Sequence, residues 1–257
     1  MPSRALGRNV HIYSARDTNT VLGGLVATDG MTNANFYSMV EIIFIFDSDY
    51  TLCRKKSGTT VPRDNDLLQA GKYLINTAGS LKVNNEPWLV RTRSVVAGAP
   101  PKVFIQAVRE RDFRCVITGQ PALNAEYGIW VGFTVTPIFP LAHKQHWATH
   151  DYDSWITIPG SRGSIHSVQN GMLLRTDISI LFEAYILSIN PDDGYKVVSF
   201  MRDAKGVAGT HLDKAFLEDP ERPTDELLRW HFRQAVLANM RGQGELDFDS
   251  RSPSSKI

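Results

Sequence analysis

The sequence predicts an α+β chain, with an antiparallel β-rich region at its N-terminus, a mixed middle region and a C-terminal helix. Three observations predict it. Residues 8 to about 96 repeat short segments rich in β-branched and aromatic residues, separated by Gly, Asn and Asp turn signals. VAGAPPKV at 96–103 then interrupts, since its prolines and small residues suit neither a strand nor a helix interior. Near the end, TDELLRWHFRQAVLANMR carries an apolar stripe of Leu227, Leu228, Phe232, Val236 and Met240, opened by Pro223 and Thr224 and closed by Gly242. The expected organisation is a β-rich region at 1–99, a second domain with the C-terminal helix at 100–245, and a polar tail at 246–257 whose Ser and Pro content predicts disorder.

Taken in order, NVHIYSA, GGLVATDG, MVEIIFIF, GKYLINT and SLKVNNEPWLVRT are the strand candidates. MVEIIFIF is nearly continuous in apolar character, so it is expected as a strand buried on both faces of a mostly antiparallel sandwich or half-barrel. DTNTVLGG and MTNANF read as turns or short helical entries. FIQAVRERDFRC predicts a helix with Phe104, Val108 and Phe113 near one face. GFTVTPIFPLAHKQHW begins as a strand. Residues 164–170 are expected to return as a second strand with a loop before a helix over 178–185, capped by Thr176 or Asp177. ILSINPDDGYKVVSF reads as two strands around an Asn-Pro-Asp-Asp-Gly turn.

Composition narrows the function. At 257 residues, with 42% hydrophobic and 21% charged residues, the chain has the make-up of a globular protein with a sizeable core. It holds no apolar run of membrane-spanning length, and its first residues show no secretory signal, so a cytoplasmic location is expected. Cys53 and Cys115 form no CxxC pair and predict no thiolate zinc site. A formal net charge of +1 lacks the basic excess with which proteins neutralise phosphates.

The middle region carries the chemistry. Gly132, Phe133, Ile138, Phe139, Pro140 and Leu141, followed by Asn170, Gly171, Leu173, Leu174, Arg175, Asp177, Ile178, Leu181 and Phe182, resemble the catalytic unit of the fungal HNH-type nucleases. The Cys115-Val116-Ile117-Thr118-Gly119 turn, the Trp155-Ile156 pair and the C-terminal helix string extend the likeness over most of the chain. The resemblance implies a strand–turn–strand–helix (ββα) unit gripping one metal ion. It also implies a degenerate one. The family's general-base histidine falls on Pro137, the acidic residue before it on Thr134, and the metal-binding histidine on Ser179. Proline can take no proton, and a serine hydroxyl is a poor ligand beside imidazole. Losing the base alone costs on the order of 10² to 10⁴ in rate.

A cleft stripped of base and metal is expected to become an apolar pocket with a few hydrogen-bond donors. Ser179, Thr134, Thr136, Asn170, His143 and His166 are the candidate donors, and Pro137, Phe139 and Trp147 the candidate pocket walls. No cofactor and no metal are expected. The predicted partner is an apolar terpenoid or polyketide intermediate, cyclised by orientation and carbonyl activation. The chain is similar in this to nuclease-like pericyclases that catalyse Diels–Alder reactions. Two alternatives stand beside that reading. One is an inactive nuclease that still binds nucleic acid or protein. The other is a residual nuclease with His143 or His146 replacing the lost pair; these and His150, spaced three and four apart, would share a helical face and could form a new metal site.

Overall fold

The computed structural model describes residues 3–90, 100–158 and 164–242. The fold is α+β, with an N-terminal sheet, a middle region of strands and helices, and a C-terminal helix. Half of the predicted break at 96–103 and the whole tail at 246–257 lie outside the described residues. The chain divides into two compact units. One comprises Met1–Ala27, Met31–Trp88 and the residues from Val236 on; the other comprises Thr28–Gly30 and Leu89–Ala235. No helix among the described residues is long and apolar enough to cross a membrane.

The first unit is built on strands β1 (Val10–Ser14) and β2 (Gly23–Leu25), helix α1 (Asn33–Ile43), and strands β3 (Phe44–Phe46), β4 (Tyr50–Arg54), β5 (Thr60–Val61), β6 (Gly71–Thr77) and β7 (Leu81–Val83). Its main sheet runs β2-β1-β6-β4-β5. Every neighbouring pair is antiparallel except β1 and β6, which are parallel. Among the described residues its other sheet is the small β3–β7 pair, so a sandwich of two full sheets is not what forms.

MVEIIFIF is where the strand expectation fails. Most of it is the end of α1, and only the final FIF is strand. The helix is nucleated upstream, in MTNANF, by a capping box. Asn35 N–H donates to Thr32 Oγ1 and Thr32 N–H to Asn35 Oδ1, satisfying two donors that the first turn would otherwise orphan. From there Phe36, Met39, Val40 and Ile43 recur at helical spacing and are all buried. Ile45, expected inside, is 54% exposed. Tyr37 fastens the helix to the sheet, its hydroxyl donating to Val61 O (2.8 Å) and accepting from Leu52 N–H (3.0 Å). Phe36 meets Tyr73 edge to face at 5.1 Å.

The second unit contains α2 (Lys102–Asp112), β8 (Phe133–Pro137), α3 (Lys144–Thr149), β9 (Gly171–Arg175), α4 (Thr176–Glu183), β10 (Leu187–Asn190), β11 (Lys196–Ser199), α5 (Lys214–Glu218) and α6 (Asp225–Met240) as far as Ala235. Strands β8 and β9 pair antiparallel, with Phe133 opposite Arg175 and Pro137 opposite Gly171. Strand alternation gives this pair two faces. Met172 and Leu174 enter one core with Ile178 and Phe182 of α4; Leu173 enters another with Phe104 and Val108 of α2. The pair is therefore a septum between two helices.

Three sequence expectations are corrected here. The second strand is not 164–170 but Gly171–Arg175; residues Val168–Asn170 form a 3-10 turn in which Ser167 accepts from Gln169 N–H. Helix α4 begins at Thr176, so neither Thr176 nor Asp177 caps it; Arg175 holds the cap position without a side-chain bond. Asp177 instead pairs with Arg175 and Lys205, at 2.9 and 2.7 Å. Phe113 leaves the apolar face of α2, because it ends that helix in a left-handed conformation (φ 50°) and is 51% exposed. The Asn-Pro-Asp-Asp-Gly turn forms as expected: Asn190 Oδ1 accepts from Asp192 N–H, and Gly194 takes φ 60°.

Candidate functional site

The ββα portion of the second unit is β8, β9 and α4. Where β8 faces α4, Thr136 and Ser179 meet. Thr136 Oγ1 donates to Ser179 Oγ at 2.8 Å, and both residues are buried. Two neutral hydroxyls joined by a hydrogen bond offer little to a divalent cation, which prefers imidazole or carboxylate donors. Thr134, on the same face, is half-buried. Among the described residues, no group of three or more His, Cys, Asp or Glu side chains is placed to hold a metal ion.

Asn170 is wholly enclosed and fully engaged. Its Oδ1 accepts from Phe139 N–H at 2.7 Å, and its Nδ2 donates to Phe139 O at 3.1 Å and to Ile165 O at 2.8 Å. The backbone carbonyl of Asn170 also accepts from Ile138 N–H. This amide clamps the exit of β8 to the turn before β9. It has no donor left for a ligand. Pro137 lies beside it, opposite Gly171 and half-buried.

Phe139 and Trp147 are core residues. The Phe139 ring is packed by Trp147 (5.1 Å between ring centroids), Tyr152 (5.6 Å) and Trp230 (4.7 Å), and neither Phe139 nor Trp147 is more than 4% exposed. Trp155 stacks on Tyr152 at 3.9 Å, and Ile156 is buried. Cys115 is a packed thiol without exposure.

The four clustered histidines separate into three settings. His143 Nε2 pairs with Val90 O at 3.2 Å. His146 and His150 stack at 3.8 Å, and His150 Nδ1 donates to His146 O. Burial, and then the charges of His150 and His143, pull the His146 imidazole below its ordinary pKa. His166 stands apart beside the Phe104 ring. Its Nδ1 is buried and has no partner. Burial, with the nearby Lys144 charge second, holds this imidazole below its ordinary pKa, in its neutral form at neutral pH.

His166 shares Phe104 with the second face of the β8–β9 pair. A methyl group added at Gly171 would lie 2.8 Å from Phe104 Cζ and from Val108 Cγ2, so glycine there lets α2 seat directly on β9. Half-buried Trp130, Phe133, Val135, Leu141 and Ile158 pack around this core and give it an apolar rim.

A buried anchor of this unit escaped sequence reading. Arg111 and Asp112, at the end of α2, form a buried pair with contacts of 2.6 and 2.9 Å. Leu173 N–H donates to Asp112 Oδ2, while Arg111 donates to Val168 O and Gly171 O. The signal was the RERD string, whose charges read as a solvated helix face.

Residues 115–190 match the HNH endonuclease family, and residues 7–82 match a domain of unknown function (DUF8573). Neither a curated protein nor a solved structure matches the chain.

Proposed function

We propose that the HNH endonuclease family domain at residues 115–190 is a nuclease-like scaffold turned to non-hydrolytic chemistry on an apolar small molecule. The hydrogen bond between Thr136 and Ser179 carries this reading. It joins strand to helix where the resemblance puts a metal-binding histidine at Ser179. With Pro137 at the family's base position, neither the proton acceptor nor the cation of a metal-assisted hydrolysis has a side chain to supply it.

The reaction class we assign is cyclisation of a terpenoid or polyketide intermediate, an intramolecular Diels–Alder or related pericyclic step of the kind that builds a norbornene in sordarin biosynthesis. Such a step moves no proton and needs no cofactor. It needs the reacting ends held together, and orientation can supply roughly 7–11 kcal/mol of the barrier in favourable cases. A donor to a conjugated carbonyl adds electrostatic stabilisation. Among the six candidate donors, Asn170 and Thr136 donate to internal partners, Ser179 is buried where it accepts from Thr136, and His143 is paired. His166 is the donor we assign, with Thr134 second.

The test incubates the purified full chain with a linear polyene aldehyde bearing a pendant alkene, and follows cycloadduct rate and stereochemistry. The reading expects a rate above buffer and a biased product ratio, both lowered in His166→Phe. Rates and ratios equal to buffer for every plausible precursor would remove it. Salt-sensitive binding of DNA in a gel shift would favour the inactive nucleic-acid binder instead.

A further inference from the structure

The N-terminal unit has a cavity of its own. A cavity of about 440 Å³ opens where the start of α1, β4, β5 and the loop after β5 meet, a volume suited to a small ligand. Its apolar wall includes Val61, Pro62 and Leu67, and Leu67 is 60% exposed despite its size. The frame is already set: Asn33 and Ala34 N–H donate to Asp66 O and Asp64 O, and Leu68 N–H to Met31 O. The first amides of α1 are thus consumed, and an anion must be held by something else.

Two polar groups in this lining are unspent. Asn33 is only 5% exposed, and its Nδ2 donates to Asp64 Oδ1 at 2.8 Å. That bond fixes which way the amide points, because a carboxylate accepts only from the NH₂ side. Asn33 Oδ1 is then a buried acceptor that receives no hydrogen bond from the protein. Buried polar atoms rarely go unpaired, so this one calls for a donor from outside the chain. Arg54 also lines the cavity. Its guanidinium lies 5.7 Å from the Tyr73 ring centroid and makes no ion pair among the described residues. Stacking on a ring face leaves the edge N–H groups free to grip an anion.

We propose that this unit binds a small apolar carboxylic acid that also carries a hydroxyl or amine donor. The carboxylate pairs with Arg54, the donor serves Asn33 Oδ1, and the apolar body lies on Val61, Pro62 and Leu67. A monoanion fits better than a phosphate. The lining supplies one cation and includes the acidic residue Asp66, which disfavours a second negative charge nearby.

The test is saturation-transfer NMR on the full chain with three probes: phenyllactate, 3-phenylpropanoate lacking the hydroxyl, and phenyllactate methyl ester lacking the charge. Phenyllactate is expected to bind best, 3-phenylpropanoate more weakly and the ester not at all. Arg54→Gln should weaken both acids about tenfold or more, with Arg54→Lys recovering part of the loss. Asn33→Leu should erase the difference between the two acids. His166→Phe should change none of these signals, so the result is independent of the cyclisation reading. The wild-type comparison needs no variant to fold. No transfer for any acid at millimolar concentration, equal transfer for acid and ester, or undiminished binding in a folded Arg54→Gln would overturn the site.

Discussion

Replacing Asn170 by alanine separates a structural amide from a catalytic one. The substitution orphans Phe139 N–H, whose acceptor is Asn170 Oδ1, and removes the Nδ2 donor from Phe139 O and Ile165 O. A buried donor left unpaired costs about 1–3 kcal/mol, and the two carbonyls and the small void add about 1 more, so the loss should be about 2–4 kcal/mol. At roughly 2–4 °C per kcal/mol for a domain of this size, that is a fall of about 5–15 °C in Tm. Denaturation followed by tryptophan fluorescence is the assay, since Trp147 and Trp230 both pack on Phe139. Asn170→Asp sharpens it. The aspartate keeps the acceptor for Phe139 N–H but turns a carboxylate oxygen toward two carbonyls. That variant should be destabilised at neutral pH and should recover as acid protonates the side chain and restores one donor. A loss below about 0.5 kcal/mol for Asn170→Ala would refute the clamp, because that is the scale of an ordinary surface substitution. Intact stability with lost activity would make Asn170 functional instead.

The remaining predictions concern anchoring, packing and titration. Asp112→Ala leaves Arg111 buried without its carboxylate and should cost about 3–5 kcal/mol in denaturant titration, the usual penalty for breaking a buried pair. Gly171→Ala pushes a methyl into Phe104 and Val108 and should cost about 1–3 kcal/mol, with partial rescue by Val108→Ala. Thermal melts across pH should show a histidine slope. His11, His146 and His166 have folded-state pKa values below the ordinary 6.5, each chiefly through burial. The unfolded chain therefore binds protons more readily. Stability present above the unfolded value is lost as pH falls through it and levels off below the folded values. His166→Phe should flatten that slope, and an unchanged slope would show that His166 does not contribute.

Much of the second unit was legible because its signals are local. An Asn-Pro-Asp-Asp-Gly turn, a proline-opened helix and a strand ending at Pro137 each declare themselves within a few residues. α1 was illegible because its apolar run reads alike as helix or strand, and only the Thr32–Asn35 capping box upstream decides between them. β9 was placed too early because the Ser167 side chain accepts from Gln169 N–H and holds residues 168–170 in a turn, which periodicity does not register. At the site, residue identities were readable but their commitments were not. Nothing in the sequence says that Asn170 is used up by Phe139 and Ile165, or that Thr136 donates to Ser179. The partnerless Nδ1 of His166 is likewise visible only once Phe104 and the β8–β9 pair are in place. The Arg111–Asp112 pair joins a helix to a strand some sixty residues on, beyond any short-range pattern.

The most direct measurement is metal titration of the full chain by calorimetry with Mg²⁺, Mn²⁺ and Zn²⁺, run beside a supercoiled-plasmid nicking assay with and without EDTA. The account predicts no stoichiometric binding to the ββα unit and no EDTA-sensitive nicking. One divalent ion bound per chain, together with nicking that disappears in His143→Ala or His146→Ala, would contradict it.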